Sequence, residues 1–481
     1  MTDELMHTRI EKATAANKKL AERLNRRWYP RFHIAAPAGW INDPNGLIHF
    51  QGRYHVFFQH HPYSDEWGPM HWGHVSSPDL VTWERHPIAL APSIEEDKDG
   101  VFSGSAIVGP DGKLNVFYTG HRWRNGKDGT DGNLQVQCRA ISEDGIHFEK
   151  VGVVVEGPSE LLDFRDPKVW KQGDRWYMVF GAQSADHRGE VWMYVSRDLE
   201  NWEFDRVVFQ DPNPDAYMLE CPDLFPLGDH WVLVYCPMGP AKDGYRNRNG
   251  HNAGYVVGDW APGQDFTPLT EYRPLDWGAN FYAPQTFAAP DGRRLMFGWM
   301  GAFDDPVASQ GTDNWAGQLT VPREVSLLDD LQVALRPVAE LSQVLPNEKD
   351  FGTFTITGAK TLAEDLTCAD IELTIDYAAS TAERVGLQLA DTFVYYDDLA
   401  HRVGIDRRQA PVEPRSYRAA PVEPDSELTL RVLVDVGSVE VFAGVTCVSS
   451  LPAASDGPRA VTLTAEGGDA VVTACRVRTL D

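Results

Sequence analysis

Cysteine, long apolar runs and positive charge are all scarce in this sequence of 481 residues, and each shortage excludes a class of protein. The six cysteines form no C-x-x-C pair, which argues against a zinc knuckle or a dense disulfide scaffold. No run approaches the roughly 18 apolar residues of a transmembrane helix. The 70 Asp and Glu outnumber the 44 Lys and Arg, and the resulting charge of −26 repels nucleic acid and anionic membranes.

The N-terminal segment carries charges throughout and has no apolar core, so it does not resemble a signal peptide. Ile10, Ala13, Leu20 and Leu24 fall near one face at helical spacing. The spacing predicts an amphipathic helix that packs on the following domain, with a free-standing interaction helix as the alternative. A reduced cytoplasm is the expected location.

Tryptophan changes abruptly along the chain, because all 15 lie between Trp28 and Trp315. We therefore expect a domain boundary near residues 336–350. The predicted units are a helical segment over 1–30, a first domain over 31–340 and a second domain over 341–481.

One pattern, a Gly followed by a polar residue and an apolar-aromatic run, occurs five times. The copies begin at Gly52, Gly112, Gly173, Gly228 and Gly292, so the steps are 60, 61, 55 and 64 residues. Each copy is typical of a buried strand that follows a turn. Five such units predict an all-β fold with a five-bladed β-propeller, and a parallel β-solenoid, whose repeats are usually shorter, is the alternative.

Two further elements recur in the same register. Upstream of the copies lie five strand starts, namely Asp43-Pro44, Phe102-Ser103-Gly104, Asp166-Pro167, Cys221-Pro222 and Ala283-Pro284. Downstream of three copies lies Ser-x-Asp, with an aromatic residue six positions after the serine. We expect the strand starts to line the central channel of the propeller, and the aromatic residues to pack between neighbouring blades.

The tail from about residue 350 alternates apolar and polar residues between turns, which predicts a β-sandwich. We expect this domain to stabilise the propeller, and a sugar-binding accessory role is the alternative.

The strand starts would place several polar side chains on one axis: Asn42 with Asp43, Arg165 with Asp166, and Glu220 with Asp223. Acids in one shielded channel raise one another's pKa, an arrangement that persists more readily where it has a function. Two carboxyl groups that flank a glycosidic bond supply such a function. One attacks or activates water while ionised, and the other donates a proton to the leaving oxygen.

Aromatic and amide side chains near the strand starts favour a sugar ligand, although each tryptophan taken alone is more often a core residue. The candidates for stacking are Trp67, Phe102 and Trp299, and those for hydrogen bonding are Asn42, Gln59 and Ser103.

Three of these blocks resemble the signature motifs of glycoside hydrolase family 32, which contains invertases, inulinases, levanases and sucrose-6-phosphate hydrolases. They are WINDPNG (Trp40–Gly46), FRDPK (Phe164–Lys168) and ECPD (Glu220–Asp223). The resemblance implies a five-bladed propeller followed by a C-terminal β-sandwich. It also implies a β-fructofuranosidase that hydrolyses sucrose and short fructosides with retention, through a covalent fructosyl-enzyme.

The resemblance assigns roles to single residues. Asp43 would be the nucleophile, Glu220 the general acid and base, and Asp166 the residue that stabilises the transition state. Asn42, Gln59, Trp67, Phe102, Ser103, Arg165 and Trp299 would surround the fructose. Neither a metal nor a cofactor is implied, and the partners expected are small sugars, with a monomer or a homodimer as the assembly.

Alternatives remain open at this point. A preference for sucrose-6-phosphate needs basic donors, and His121, Arg122 and Arg124 are candidates, unless their charges simply face solvent. A fructoside-binding protein without turnover, an inverting arabinan-type hydrolase and a transfructosylating enzyme are the others. A metal site formed by histidines 60, 61, 71 and 74 has no carboxylate partner in register.

Overall fold

The computed structural model describes residues 2–158, 161–413, 415–423, 425–452 and 459–480. The first and last residues of the predicted domain bounds lie outside these ranges. The described chain is built from strands, with one α-helix, α1 (Thr2–Ala21), and three short 3-10 turns at Glu95–Asp97, Gly129–Asp131 and Ala339–Gln343. The prediction of an all-β protein with an N-terminal helix is therefore confirmed.

The propeller has five sheets arranged as blades. Blade one has β1 (Gly39–Phe50), β2 (Arg53–His61), β3 (His71–Ser77) and β4 (Glu84–Arg85), and blade two has β5 (Gly100–Val108), β6 (Leu114–Trp123), β7 (Asn133–Ser142) and β8 (Glu149–Glu156). Blade three has β9 (Asp163–Gln172), β10 (Arg175–Gln183), β11 (Gly189–Ser196) and β12 (Trp202–Gln210), and blade four has β13 (Met218–Leu227), β14 (His230–Met238), β15 (Gly254–Asp259), β16 (Thr267–Pro268) and β17 (Arg273–Pro274). Blade five has β18 (Tyr282–Ala288), β19 (Arg294–Met300), β21 (Gln318–Leu319), β22 (Arg323–Leu327) and β23 (Val333–Pro337), while β20 (Trp315–Ala316) returns to blade one.

The five repeated Gly-aromatic segments form the second strand of each blade, as β2, β6, β10, β14 and β19. The five strand starts lie in the innermost strands β1, β5, β9, β13 and β18, which contact one another around the axis. Both expectations from the repeat are confirmed. The ring closes where β20 pairs in parallel with β1, with Gly39 opposite Trp315.

Every innermost strand breaks its pairing with the second strand at the same place. The breaks lie between Ile41 and Pro44, Val101 and Gly104, Arg165 and Lys168, Glu220 and Asp223, and Tyr282 and Gln285. A β-bulge leaves residues unpaired and turns their side chains in a new direction. Asp166, Cys221 and Ala283 have φ values of 69°, 50° and 48°, in the left-handed region. The bulges therefore direct side chains toward one end of the axis.

The aromatic residue six positions after each Ser-x-Asp serine packs on the preceding blade, as expected. The ring pairs are Trp83 with Phe297 at 5.9 Å, Phe148 with Phe57 at 5.6 Å, and Trp202 with Phe117 at 5.7 Å. Each pair is edge-to-face, which is a preferred aromatic geometry.

Helix α1 packs on the propeller through Met6, Ile10 and Ala13, whose side chains are buried or partly buried. Asn17 anchors its last turns, because the side-chain amide donates to the carbonyl oxygens of Ala38 (2.8 Å) and Pro62 (3.2 Å). No helix in the described ranges is long and apolar enough to cross a membrane.

The second domain is a β-sandwich folded from one sheet of eleven strands, as predicted. They are β24 (Asn347–Asp350), β25 (Phe354–Ala363), β26 (Ala369–Asp376), β27 (Arg384–Leu389), β28 (Thr392–Asp397), β29 (Arg402–Asp406), β30 (Tyr417–Pro421), β31 (Glu427–Asp435), β32 (Ser438–Ala443), β33 (Thr446–Ser450) and β34 (Val461–Thr479). The long strand β34 pairs with four of the others, and alternate apolar side chains fill a separate core.

A buried network of charges joins the two domains. His33 of the propeller contacts Asp435 through Nδ1 (2.8 Å) and Glu440 through Nε2 (2.7 Å). Arg323 pairs with Glu440 at 2.5 Å and with Asp276 at 3.0 Å, and all five side chains are fully buried. Burial lowers the pKa of His33, but its two carboxylate partners outweigh burial and raise it from 6.5 to about 9. The interface therefore contains a charged imidazolium at neutral pH.

This network predicts how stability changes with pH. The stabilisation from protonated His33 is fully present below about pH 6.5 and is lost as pH rises toward 9, a change on the order of 3 kcal/mol. In His33→Gln we expect a lower Tm at pH 6 and a flatter fall in Tm between pH 6.5 and 9 than in the wild type. His7→Gln, at an exposed helix position, is the control. An unchanged slope in His33→Gln would contradict the assignment.

Candidate active site

A pocket of about 260 Å³ opens at the end of the axis toward which the bulges point, and all five blades contribute to its wall. Nine of the ten predicted site residues line it: Asn42, Asp43, Gln59, Trp67, Phe102, Ser103, Arg165, Asp166 and Glu220. Residues about 180 positions apart in the sequence thus share one cavity because each lies at the same break in its strand.

Asp43 is buried at the floor and accepts hydrogen bonds on both oxygens. Ser103 Oγ donates to Oδ2 at 2.5 Å, Asn42 Nδ2 donates to Oδ1 at 3.0 Å, and Cys221 Sγ lies 3.4 Å from Oδ2. Burial raises the pKa of this carboxyl, and the charge of Glu220 adds to the rise, while the hydrogen bonds oppose it. The hydrogen-bonding neighbours therefore fix the carboxyl group in place, and they offset only part of the rise in its pKa.

Asp166 lies beside Asp43, in a left-handed backbone conformation with φ of 69°. Its Oδ2 accepts the Cys221 N–H at 3.0 Å, and its own N–H donates to Thr119 Oγ1 at 3.0 Å. Burial raises the pKa of Asp166 to about 7, against the opposing effect of Arg165. A buried non-glycine residue with positive φ is strained, and such strain clusters at functional sites.

Glu220 faces these two acids and has two strong donors. Arg165 donates from Nη2 at 2.7 Å and from Nε at 3.2 Å to Oε1, and the Tyr282 hydroxyl donates to Oε2. Burial raises the pKa of Glu220, but Arg165 and Tyr282 outweigh burial and lower it overall. Arg165 also forms an ion pair with Asp163, so two carboxylates balance its positive charge.

The remaining predicted residues shape the wall. Trp67 is 40% exposed at the mouth, and its ring lies 6.0 Å from that of Phe102. Gln59 is buried and donates to the Val101 carbonyl at 3.0 Å. These positions suit a ligand that presents both C–H faces and hydroxyl groups.

Trp299 does not line the pocket, which corrects its prediction as a residue in contact with the sugar. It is 1% exposed and packs behind the wall, 5.5 Å from Trp40 and 4.8 Å from Phe303. Phe303 itself lines the cavity, so Trp299 supports the wall from behind.

Sequence reasoning missed several wall residues, among them Tyr282, His251, Phe303 and Trp123. Tyr282 had a signal, because it stands two positions before Pro284. The residue at this position in each blade, namely Asn42, Phe102, Arg165, Glu220 or Tyr282, lines the pocket.

The three basic candidates for a phosphate site separate in the structure. His121 lines the catalytic pocket, whereas Arg122 and Arg124 line a second cavity of about 330 Å³. Strand β6 continues to Trp123, and alternate side chains of a strand point to opposite faces. Asp223 also lies apart from the pocket, because it pairs with Lys168 at 3.2 Å.

Asp43, Asp166 and Cys221 each place one ligand atom within 4.8 Å of the others. Within the described ranges they are the one group with the spacing of a metal site, and the four candidate histidines do not form another. That the reaction needs no metal or cofactor stays a prediction.

Comparisons with known proteins agree with this geometry. Residues 33–337 match the model of the glycosyl hydrolases family 32 N-terminal domain, and residues 340–479 match the family 32 C-terminal model. A sucrose-6-phosphate hydrolase of Escherichia coli is 43% identical over 439 residues, 91% of each chain. A raffinose invertase of Escherichia coli is 41% identical over 97% of this chain and 98% of the relative.

Solved structures give the same result. The β-fructofuranosidase of Bombyx mori superposes with a TM-score of 0.86 and 32% identity, covering 98% of this chain and 99% of that one. A mutant of that enzyme, solved in complex with sucrose, has the same TM-score and coverage. With both domain models matched over nearly its whole length, the chain belongs to glycosyl hydrolases family 32.

Proposed function

We propose that this chain is a retaining β-fructofuranosidase that releases the terminal fructosyl unit of sucrose and related short fructosides. The observation that carries the proposal is the convergence of Asp43, Asp166 and Glu220 in one pocket of a family 32 propeller. The relatives named as sucrose-6-phosphate hydrolase and raffinose invertase, and the sucrose complex of the Bombyx mori enzyme, support the substrate class.

In the first step, a carboxylate oxygen of Asp43 attacks the anomeric carbon of the fructosyl unit. The bond from that carbon to the glycosidic oxygen breaks, and Glu220 gives this oxygen its proton, so that the leaving sugar departs as an alcohol. The hydrogen bonds from Ser103 and Asn42 hold Asp43 in position. Asp166 stabilises the positive charge that develops on the sugar ring.

In the second step, Glu220 takes a proton from a water molecule, whose oxygen attacks the anomeric carbon of the fructosyl-enzyme. The bond to Asp43 breaks and its carboxylate is regenerated. Two inversions at one carbon give overall retention. Capture of the intermediate by a sugar hydroxyl instead of water would give transfructosylation by the same steps.

The productive form has Asp43 ionised and Glu220 protonated, whereas the protein surroundings alone raise the pKa of Asp43 and lower that of Glu220. A bound sugar changes this order, because its hydroxyls donate to the floor carboxylates and its ring excludes water from Glu220. The acids act as one coupled set, so the pH profile reports the set rather than one residue.

The proposal also includes the cellular location, the domain bounds and the assembly. All six cysteines are buried and free, which is compatible with the predicted reduced cytoplasm. We further propose the domain bounds 31–340 and 341–481, which the limits of the two family models support. The assembly as a monomer or a homodimer also stays a prediction.

The first prediction from this mechanism concerns the two reacting acids. Asp43→Asn and Glu220→Gln should each lower kcat on sucrose by at least about 10³-fold, since each removes a covalent or a proton-transfer role. Asp305→Asn, on the exposed loop next to Phe303, is the matched control and should keep wild-type kcat. Near-normal turnover in Asp43→Asn or Glu220→Gln would overturn the roles, and an inert wild type would favour a binding protein.

A second prediction concerns the donors to Glu220. Tyr282→Phe removes one donor from the carboxylate, so the pKa of Glu220 should rise. Because the protonated form acts first, activity falls as pH rises through this pKa. The alkaline limb of kcat/KM should therefore move to higher pH by roughly one unit. A pH profile with an unmoved or acid-shifted limb would argue against Glu220 as the acid.

A third prediction concerns the leaving group. Among the described residues that line the pocket, Arg165 is the one Lys or Arg, and it is already paired with Glu220 and Asp163. We therefore expect kcat/KM for sucrose to equal or exceed that for sucrose-6-phosphate when both are measured side by side. A preference for the phosphate above about tenfold, roughly 1.4 kcal/mol, would reveal a dedicated phosphate contact.

A further inference from the structure

His121 borders the catalytic pocket, unlike Arg122 and Arg124, which follow it in the chain. It is 1% exposed and stacks face-on against Phe102 at 4.0 Å, with Trp123 at its edge. Its Nε2 is buried and has no hydrogen-bond partner among the described residues. An unsatisfied buried polar atom costs free energy, so it needs an explanation.

The hydrogen on this ring can be placed from the neighbours. The Gln135 carboxamide oxygen accepts the Phe164 N–H at 2.9 Å, so its nitrogen faces His121 Nδ1 at 3.3 Å. A carboxamide nitrogen only donates, and Nδ1 must therefore accept. The hydrogen of the neutral ring is then on Nε2.

The ring also stays neutral. Burial and, to a smaller extent, the charge of Arg165 lower the pKa of His121 to about 3. Among the residues that border the ring, Phe102, Trp123 and Gln135 carry no charge. At neutral pH, Nε2 is thus a hydrogen-bond donor whose orientation is fixed by the stacking on Phe102 and Trp123.

The position of His121 along the blade indicates which part of a substrate it meets. It pairs with Gly100, two residues before Phe102 and the bulge that carries Ser103. The pocket opens on the side of the bulge that precedes the break, since Glu220, before the break in its own blade, lines the pocket, whereas Asp223, after it, is fully buried against Lys168 and does not. The mouth is the side on which the leaving group extends from the acids.

We propose that His121 donates a hydrogen bond from Nε2 to an oxygen of the leaving-group sugar, and that Gln135 is the positioning residue that fixes its tautomer. This inference rests on the proposed β-fructofuranosidase activity. Nε2 is covered in this structure, so contact requires a small shift of Trp67 and Trp123, which lie beside the ring at the pocket wall, of the kind that side chains commonly make on binding.

The test compares two fructosides that differ in the leaving group. Sucrose releases glucose as its leaving group, whereas p-nitrophenyl β-D-fructofuranoside releases p-nitrophenol, which has no sugar hydroxyls. His121→Phe keeps an aromatic ring on Phe102 but has no donor. We expect kcat/KM on sucrose to fall about tenfold, mainly through KM, and kcat/KM on the nitrophenyl substrate to stay within about twofold.

Gln135→Glu tests the positioning role separately. The carboxylate can still accept the Phe164 N–H, but it cannot donate to His121, so it draws the ring hydrogen to Nδ1 and leaves Nε2 as an acceptor. We expect the sucrose-to-nitrophenyl ratio to fall nearly as far as in His121→Phe. A structural role for Gln135 would leave this ratio unchanged.

Arg124→Gln is the matched control, because it lies on the same hairpin but on the other face, and its ratio should equal that of the wild type. An equal loss on both substrates in His121→Phe, or no loss on either, would overturn the inference while leaving the proposed activity intact. A wild type that cleaves neither substrate would instead overturn the proposed function.

Discussion

The pocket depends on one constraint of the backbone, the interruption of each innermost strand at the same point. In four blades the break contains a proline or ends at one, and proline has no N–H to continue the ladder. In blade two the residue is Gly104, where a Cβ would lie 1.8 Å from the Phe117 carbonyl oxygen. Because the ladder fails five times around one axis, side chains from remote parts of the chain meet in a single cavity.

The charges of the pocket follow from this geometry. The Cys221 thiol contacts the carboxyl groups of both Asp43 and Asp166. Arg165 forms its ion pairs with Glu220 and Asp163 rather than with these two carboxyl groups at the floor of the pocket. Such a site carries excess negative charge and attracts no anion. It agrees with the acidic composition of the whole chain, and it suits a substrate that is neutral until its ring becomes positive in the transition state.

The repeat made the propeller, the strand starts and most of the wall predictable, because a proline or glycine marks the same register in each unit. Tyr282 occupies the same register, two positions before Pro284, so its place in the pocket wall could also have been predicted. Trp299 was misjudged for a different reason, because nearness in sequence does not give the face of a strand on which a side chain lies. For the same reason Arg122, one of the open candidates for a phosphate contact, could not be placed from the sequence, and it lines another cavity. The buried pair of His33 with the second domain had no local signal, since its partners lie some 400 residues away.

The parallel pairing of β1 with β20 has a consequence for biosynthesis. Gly39 emerges early from the ribosome, yet its partner Trp315 is made only when almost two thirds of the chain has been synthesised. Blade one must therefore wait with the inner edge of β1 unpaired while the other blades assemble. Long-range pairing of this kind slows folding and leaves exposed edges open to aggregation. During synthesis, the nascent chain is most vulnerable in the interval between these two residues.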